Sequence, residues 1–93
     1  MRTIERTTKF RRDFKRELKG RHRATIDQDV ITVLELLAFD KPLAEQYRDH
    51  ALSGNWANHR DCHIGPDLVL IYQKPDDATL RLVRLGSHSE LGL

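Results

Sequence analysis

The 93-residue sequence predicts an α+β domain in which an N-terminal strand and an α-helical hairpin precede an antiparallel sheet of three to four strands. Two observations support this fold class. Residues 10–39 contain apolar side chains at helical spacing, whereas residues 60–86 contain short aliphatic runs separated by turn residues. In addition, no linker, repeat or low-complexity tract interrupts the chain, so residues 1–93 are expected to form one domain.

The first elements are a short strand and an amphipathic helix. Residues 2–7, Arg-Thr-Ile-Glu-Arg-Thr, have the composition of a strand, and Thr7 or Thr8 can cap the helix that follows. Gly20 is a suitable C-terminal stop for this helix. Its apolar residues recur every four positions and therefore share one face: Phe10, Phe14 and Leu18.

The outer surface of this first helix is predicted to be strongly cationic. Residues 1–23 contain ten Lys or Arg and three acidic residues, a net charge of +7, whereas residues 24–93 contain six and eleven, a net charge of −5. The basic side chains on the helix are Lys9, Arg11, Arg12, Lys15, Arg16 and Lys19. Such charge separation is typical of a phosphate-rich or acidic partner, although a solvated helix face explains the basic run equally well.

A second helix is expected from about Ala24 to Phe39, and the two helices form the hairpin. Its apolar residues follow helical spacing: Ile26, Val30, Val33, Leu34 and Leu37. After Pro42, residues 43–49 predict one short helical turn, and Gly54 marks the next turn.

Three strands then follow in quick succession, at Arg60–Ile64, Leu68–Lys74 and Leu80–Gly86. The turn signals between them, Gly65-Pro66 and residues 75–78, are short enough to predict antiparallel hairpins. In the last strand, alternation places an arginine on each side, so the pattern does not decide which side faces the core.

The cysteine content and the absence of long apolar runs favour a cytoplasmic protein that does not enter a membrane. Cys62 is the single cysteine, which excludes an internal disulfide and fits a reducing compartment. Residues 1–20 carry basic residues throughout and do not resemble a signal peptide. No segment approaches the roughly 20 apolar residues that a membrane span needs.

A cluster of polar residues in the second half of the chain is not needed by the fold. Four of the five histidines are interleaved there with aspartates: His50, His59, His63 and His88 with Asp49, Asp61 and Asp67. His59, Cys62 and His63 have the spacing of zinc ligands, but neighbours 62 and 63 point to opposite faces of a strand, so no metal site is predicted. Cys62 is interpreted as a small buried residue rather than a nucleophile.

General acid–base chemistry fits this cluster better than metal chemistry. Near neutral pH, one histidine can be protonated while another is neutral. An arginine adds a permanent charge and a planar group that matches phosphate oxygens. Histidines, arginine and a carboxylate are the groups needed to cleave RNA through its own 2′-hydroxyl, without a metal.

Two stretches, Asp49–Tyr72 and Leu80–Leu91, resemble the YafQ-like branch of the RelE/ParE toxin superfamily. The matching elements are Asp49-His50, Leu52-x-Gly54-x-Trp56, Arg60-Asp61-x-His63, Pro66-Asp67, Leu70-Ile71-Tyr72 and Arg84-x-Gly86-x-His88. The basic helical hairpin agrees in position, so the similarity covers essentially the whole chain. The resemblance implies the RelE-like microbial RNase fold.

The resemblance also implies a function and a set of partners. It implies the toxin of a type II toxin–antitoxin system, an endoribonuclease that cuts mRNA in the ribosomal A site without metal or cofactor. The implied partners are the 70S ribosome with its mRNA, and a cognate antitoxin of the DinJ or RelB kind. Such an antitoxin is a ribbon-helix-helix or similar DNA-binding protein, which gives the complex an indirect contact with operator DNA. No membrane partner is implied.

The resemblance assigns candidate site residues. The implied catalytic set is His50, His63, Asp67, Arg84 and His88. Within it His88 is the expected general acid and Arg84 the phosphate clamp, while the other three share the base and orienting roles. The residues expected to contact RNA or the ribosome are Lys9, Arg11, Arg12, Lys15, Arg16, Lys19, Arg60 and Arg81.

Two positions depart from the family pattern, and other readings stay open. Leu68 and Gly92 stand where aromatic residues that could stack on bases are expected, so base preference is in doubt while the acid, base and clamp remain. Trp56 is expected to pack against the core rather than to stack on RNA.

Two alternative functions remain open. The main one is a relative that inhibits DNA gyrase by binding, and the other is a degenerate toxin that serves only as a corepressor.

Overall fold

The computed structural model describes residues 1–93 and confirms the predicted α+β fold. Its strands and helices, in chain order, are β1 Thr3–Arg6, α1 Thr8–Glu17, α2 Ile26–Ala38, β2 His50–Ala51, β3 Arg60–Gly65, β4 Leu68–Gln73, β5 Thr79–Gly86 and α3 His88–Leu91. Single turns of 3-10 helix lie at Glu45–Tyr47, where the short helical turn was predicted, and at Gly54–Trp56. No helix combines the length and the apolar character that crossing a bilayer requires.

The two long helices start close to the predicted positions. The Thr7 side chain accepts a hydrogen bond from the Phe10 backbone N–H at 3.0 Å, which confirms a threonine cap for α1. Helix α2 begins at Ile26 rather than near Ala24, because residues 21–25 form turns before the helical hydrogen bonds begin. The Thr25 side chain makes no capping bond there.

The sheet has five strands in the order β1-β5-β4-β3-β2. Strands β2 to β5 pair antiparallel, as expected, whereas β1 pairs parallel with β5. The predicted antiparallel sheet of three to four strands is confirmed as β2 to β5, and the predicted N-terminal strand, β1, extends it to a five-stranded mixed sheet. Strand β2 contains only two residues and is too short for any pattern of alternation to reveal it.

An irregularity in β5 decides which of its residues face the core. Consecutive residues of β4 pair with Leu82 and Arg84, so Val83 is an extra residue in the ladder. An extra residue shifts the alternation by one. As a result Leu82 and Leu85 both face the helices, while Val83 packs on the opposite side of the sheet.

The main core lies between the helical hairpin and one face of the sheet. Its buried residues are Phe10, Ile26, Val30, Val33, Leu34, Leu37, Ala38, Cys62, Ile64, Leu68, Leu70, Tyr72, Leu80, Leu82 and Leu85. A smaller cluster of Val69, Ile71 and Leu91 covers part of the opposite face. Trp56 packs against this second cluster and donates a hydrogen bond to the Leu91 carbonyl at 3.2 Å, which confirms its predicted packing role.

Candidate active site

The candidate site lies at one end of the sheet, on the face opposite the helices. Asp61 and His63 are two residues apart on β3 and therefore share this face, whereas the intervening Cys62 enters the main core. His63 pairs with Val69 of β4, which in turn pairs with Gly86 of β5. This register brings His63 next to the segment that follows β5.

His63 and His88 form the centre of the cluster. Their rings are 4.9 Å apart between centroids and meet at 61°, an edge-to-face arrangement. His88 is the first residue of α3, whose start is fixed by reciprocal bonds between Ser87 and Glu90. Two imidazoles at this separation can face the same phosphodiester, one as a proton acceptor and the other as a donor.

Asp67 binds His88 through both backbone and side chain. One carboxylate oxygen accepts the His88 backbone N–H at 3.0 Å and lies 2.7 Å from His88 Nδ1. Because a carboxylate can only accept, Nδ1 carries the proton and Nε2 is left without a hydrogen-bond partner. These two hydrogen bonds are the main reason why the pKa of Asp67 is held below its ordinary value.

The turn between β3 and β4 places Asp67 in this position. Gly65 pairs with Leu68, so Pro66 and Asp67 are the two central residues of the hairpin loop. Asp67 has a φ of 50°, in the left-handed region, which aspartate tolerates better than most residues. The Gly-Pro signal in the sequence therefore predicted the feature that aims this carboxylate at α3.

His63 is half-buried and makes no hydrogen bond through its side chain. Burial is the main cause that lowers its pKa, and the positive charges of His88, Arg48 and His50 act in the same direction. The nearby carboxylate of Asp61 opposes the shift. His63 is therefore neutral at pH 7, as a general base must be.

His50 and Asp61 sit beside this pair on the paired strands β2 and β3. His50 Nδ1 is 2.7 Å from the Arg48 carbonyl oxygen and 3.2 Å from Asp61 Oδ1. The hydrogen bond goes to the carbonyl, so Asp61 Oδ1 is buried without a hydrogen-bond partner. Burial raises the pKa of Asp61, while His50, His63 and His88 oppose that rise.

Asp61 was among the interleaved aspartates of the sequence but was not assigned to the site. Its place two residues before His63 on the same strand was the available signal, because this spacing puts both side chains on one face. Only the register of the neighbouring strands shows that the carboxylate is enclosed by three imidazoles.

The Arg84 side chain is bound by Asp13, a residue of helix α1. Its Nε donates to Asp13 Oδ2 at 2.7 Å and its Nη2 to Asp13 Oδ1 at 3.3 Å, and only 21% of the Arg84 side chain is exposed. Asp13 itself is 3% exposed, in a helix whose other charged side chains are mostly exposed. The sequence did not single out Asp13, because the contact joins residues 71 apart in the chain.

The basic residues expected to bind RNA fall into two groups. Five side chains of α1 and the turn after it are exposed and form no ion pair: Lys9, Arg11, Arg12, Lys15 and Lys19. The other three are paired within the chain. Arg16 binds Asp13, Glu17, Glu90 and the Leu85 carbonyl, Arg60 binds Asp49, and Arg81 binds Glu5 and Gln73.

The cysteine and the possible zinc ligands do not converge. Cys62 is fully buried, and burial raises the pKa of its thiol, so it is neither a ligand nor a nucleophile at neutral pH. His59 packs edge-on against Trp56, away from His63. No group of three or more His, Cys, Asp or Glu side chains has the arrangement of a metal site.

The two positions that lack an aromatic residue have different structural roles. Leu68 is 1% exposed and packs in the main core. Gly92 ends α3 with a φ of 71°, a conformation that strains any larger residue. Neither position supplies a surface on which a base could stack.

Comparison with known proteins finds the same fold in toxins of known structure. Residues 2–92 match the family described as the bacterial toxin of type II toxin–antitoxin system, YafQ. The mRNA interferase toxin YafQ of Escherichia coli strain K12 is 38% identical over 90 residues, which cover 95% of this chain and 97% of that protein.

Two solved structures extend this similarity to three dimensions. The E. coli DinJ–YafQ complex contains a chain that is 35% identical, with a TM-score of 0.82 over 98% of both chains. A metal-bound toxin from Helicobacter pylori is 45% identical, with a TM-score of 0.84 over 98% of this chain and 99% of that one. The present chain therefore belongs to the YafQ family of toxins of type II toxin–antitoxin systems.

Proposed function

We propose that this toxin is a ribosome-dependent, metal-independent endoribonuclease that cleaves mRNA in the ribosomal A site. The observation that carries the proposal is the pair of imidazoles at the end of the sheet. His63 is neutral at pH 7, and His88 is held 2.7 Å from a carboxylate in a fixed tautomer. The name of the E. coli relative, an mRNA interferase, supports the same reaction class.

The proposed reaction uses the 2′-hydroxyl of the mRNA as its nucleophile. His63 takes the proton of that hydroxyl, and the oxygen forms a bond to the adjacent phosphorus. The bond from phosphorus to the 5′-oxygen breaks, and protonated His88 gives that oxygen its proton through Nε2. The products are a 2′,3′-cyclic phosphate and a 5′-hydroxyl, and no redox or metal step is needed.

The remaining candidates have supporting roles in this proposal. Asp67 orients His88 and attracts its protonated form, so the carboxylate is an orienting group rather than the base. Arg84 supplies positive charge to the crowded phosphate. His50 is exposed beside Asp61 and contributes a positive charge when it is protonated.

The ribosome is proposed to supply what the small domain lacks. The site lies at the end of the sheet on a chain of only 10.8 kDa. A substrate held by the ribosome arrives already oriented, which removes most of the entropic cost of alignment. The exposed basic side chains of α1 offer contacts to ribosomal RNA phosphates.

The regulatory partner is proposed to be a cognate antitoxin of the DinJ kind. The E. coli relative forms a complex with DinJ, which supports an equivalent partner here. Such a partner neutralises the toxin and, as a DNA-binding protein, links the complex to operator DNA. The gyrase-binding alternative has no use for two imidazoles that meet at 4.9 Å.

The decisive experiment is single-round cleavage of mRNA in purified translating ribosomes, by toxin that has first been treated with EDTA and then freed of the chelator. The wild-type chain, His88→Ala and His59→Ala are compared, because His59 packs against Trp56 outside the imidazole pair. Cleavage by the wild type and by His59→Ala, but not by His88→Ala, supports the proposal. Intact mRNA with all three proteins overturns it, and inhibition of DNA supercoiling then becomes the next assay.

A further inference from the structure

We propose that Asp13 of α1 is a positioning residue, which holds the Arg84 guanidinium in the orientation needed to bind the scissile phosphate. The inference rests on the proposed function, since it assigns Arg84 to the phosphate. It adds a residue from the helical hairpin to a site that otherwise consists of groups from the sheet and α3.

Asp13 is a buried carboxylate that accepts hydrogen bonds from two arginines and one backbone N–H. Its carboxylate accepts from Arg84 Nε at 2.7 Å, from the Leu85 backbone N–H at 3.0 Å and from Arg16 Nη1 at 3.0 Å. Burial raises the pKa of Asp13, but the bonds from Arg84 and Leu85 and the two guanidinium charges outweigh that effect and keep its pKa below the ordinary value. Asp13 is therefore ionised at every pH at which ribosomes are active.

The local backbone explains why Arg84 needs such an anchor. Strand β1 ends at Arg6, opposite Leu82, so the last part of β5 is paired with β4 on one side and has no strand on the other. Helix α1 and its cap cover that edge instead, through Thr7 Oγ1 to the Val83 carbonyl at 2.7 Å and Asp13 to the Leu85 N–H. The extra residue at Val83 removes regular alternation, so the direction of the Arg84 side chain is set by Asp13 rather than by the pleat.

The hydrogen bonds leave Arg84 able to bind a phosphate. Asp13 uses Nε–H and one N–H of Nη2, so both N–H groups of Nη1 and one of Nη2 remain free. Two neighbouring N–H groups of that kind can bind two phosphate oxygens together. An arginine side chain loses considerable rotamer freedom when it binds a phosphate. Asp13 already restricts the rotamers of Arg84 before the substrate binds, so this loss is smaller on binding.

Arg16 further restrains the side chain of Asp13. It donates to Asp13 and to the Leu85 carbonyl at 2.9 Å, and its Nε lies 3.2 Å from Glu90 of α3. Two arginines share the single Asp13 carboxylate, so the charge of Arg84 is only partly neutralised. The same network ties α1 to the helix that carries His88.

The test is a double-mutant cycle with Asp13→Asn and Arg84→Ala. Asp13→Asn keeps an oxygen for the Leu85 N–H but removes the charge that aligns Arg84. The expected result is a single-turnover rate on saturating ribosomes that is about tenfold to a hundredfold lower, with the half-saturating ribosome concentration unchanged within about twofold. In the Arg84→Ala background, Asp13→Asn is expected to have no further effect.

The outcomes separate this inference from the proposed function. If Asp13→Asn lowers the rate equally with and without Arg84, Asp13 acts through the fold and the inference is overturned. If Arg84→Ala leaves cleavage intact, the phosphate role of Arg84 fails and the inference fails with it, although the imidazole chemistry stands. Wild type that cuts no mRNA on ribosomes overturns the proposed function itself.

A second measurement covers the case in which Asp13→Asn does not fold. In the wild-type chain the Arg84 Nε–H proton, assigned by its loss in Arg84→Ala, is expected to give an NMR signal protected from exchange with water. Arg12 is exposed and unpaired on the same helix, and its Nε–H is the matched control. Equal exchange rates for the two arginines would show that Asp13 does not hold Arg84, which overturns the inference without any variant of Asp13.

Discussion

A single oxygen of Asp67 accepts both the backbone N–H and the Nδ1–H of His88, at 3.0 and 2.7 Å. The first bond ties the hairpin turn to the first residue of α3, and the second fixes how the imidazole is turned. Because one atom does both, the orientation of the ring is tied to the position of the hairpin turn that carries Asp67. The His88 imidazole is thereby held in one orientation by two hydrogen bonds.

Replacing this carboxylate should lower catalysis more than stability. In Asp67→Asn the amide oxygen can still accept the backbone N–H, but the charge that attracts protonated His88 is lost. We expect the single-turnover cleavage rate at pH 7 to fall about tenfold to a hundredfold, with a melting temperature close to that of the wild type. Asp77→Asn, in the exposed turn before β5, is the matched control and should keep the wild-type rate. A wild-type rate in Asp67→Asn would contradict the orienting role.

The pH dependence of cleavage should report the lowered pKa of His63. The base must be neutral, so the rate falls as pH decreases through the pKa of His63, which lies below its ordinary value of 6.5. We expect the acid limb of the rate profile, measured on saturating ribosomes between pH 5 and 8, to have its midpoint below that value. A midpoint above 6.5 would contradict the assignment of His63 as the base.

The sequence predicted the elements of this fold well, because they depend on local periodicity. Phe10 and Phe14 share one face of α1, and the run Leu68–Tyr72 forms a buried strand, as their spacing indicated. The turn at Gly65-Pro66 likewise predicted the antiparallel hairpin of β3 and β4. In these cases short-range sterics and burial were sufficient.

The features that the sequence did not predict depend on pairing between distant segments. Asp13 is one acid in a basic helix, and only its contact with β5 gives it a role. Asp61 becomes an enclosed carboxylate only when β2 and α3 are in place beside β3. The extra residue at Val83 follows from the register with β4, which alternation along β5 alone does not contain. The roles of the candidate catalytic residues and RNA contacts stay predictions.

Removing the charge of Asp61 should stabilise the protein at neutral pH. Its folded-state pKa is raised by burial, so its contribution to stability is complete below the unfolded value near 3.8 and is lost as pH rises through the folded-state pKa. At pH 7 the buried carboxylate therefore opposes folding, although His50, His63 and His88 face it. We expect Asp61→Asn to raise the melting temperature by a few degrees at pH 7.5, measured by calorimetry.

The same comparison at low pH provides the control for Asp61. At pH 3.5 the carboxyl group is largely protonated in both states, so Asp61→Asn and wild type should melt at nearly the same temperature. A lower melting temperature for Asp61→Asn at pH 7.5 would show that the carboxylate is stabilised by the imidazoles more than it is penalised by burial.

The Arg16 guanidinium should contribute to stability rather than to RNA binding. Its bonds to Asp13 and to the Leu85 carbonyl are lost in Arg16→Ala, which leaves Asp13 Oδ1 with only the 3.3 Å bond from Arg84. We expect the free energy of unfolding, measured in urea, to fall by about 2 kcal/mol. Lys15→Ala, the exposed and unpaired neighbour on α1, should change it by less than about 0.5 kcal/mol. Equal effects of the two substitutions on the free energy of unfolding would show that the hydrogen bonds of Arg16 do not stabilise the fold.

The unpaired basic side chains of α1 should determine ribosome affinity. Arg12 is exposed and makes no ion pair, so its charge is available to RNA phosphates. In Arg12→Glu we expect the half-saturating ribosome concentration to rise and the salt dependence of binding to weaken, since fewer counterions are released. The cleavage rate at saturation should stay unchanged, because Arg12 is absent from the imidazole cluster. Lys41→Glu makes the same charge change at an exposed position after α2 and should leave affinity near the wild-type value. Equal losses of affinity in both variants would mean that net charge, rather than the face of α1, governs binding to the ribosome.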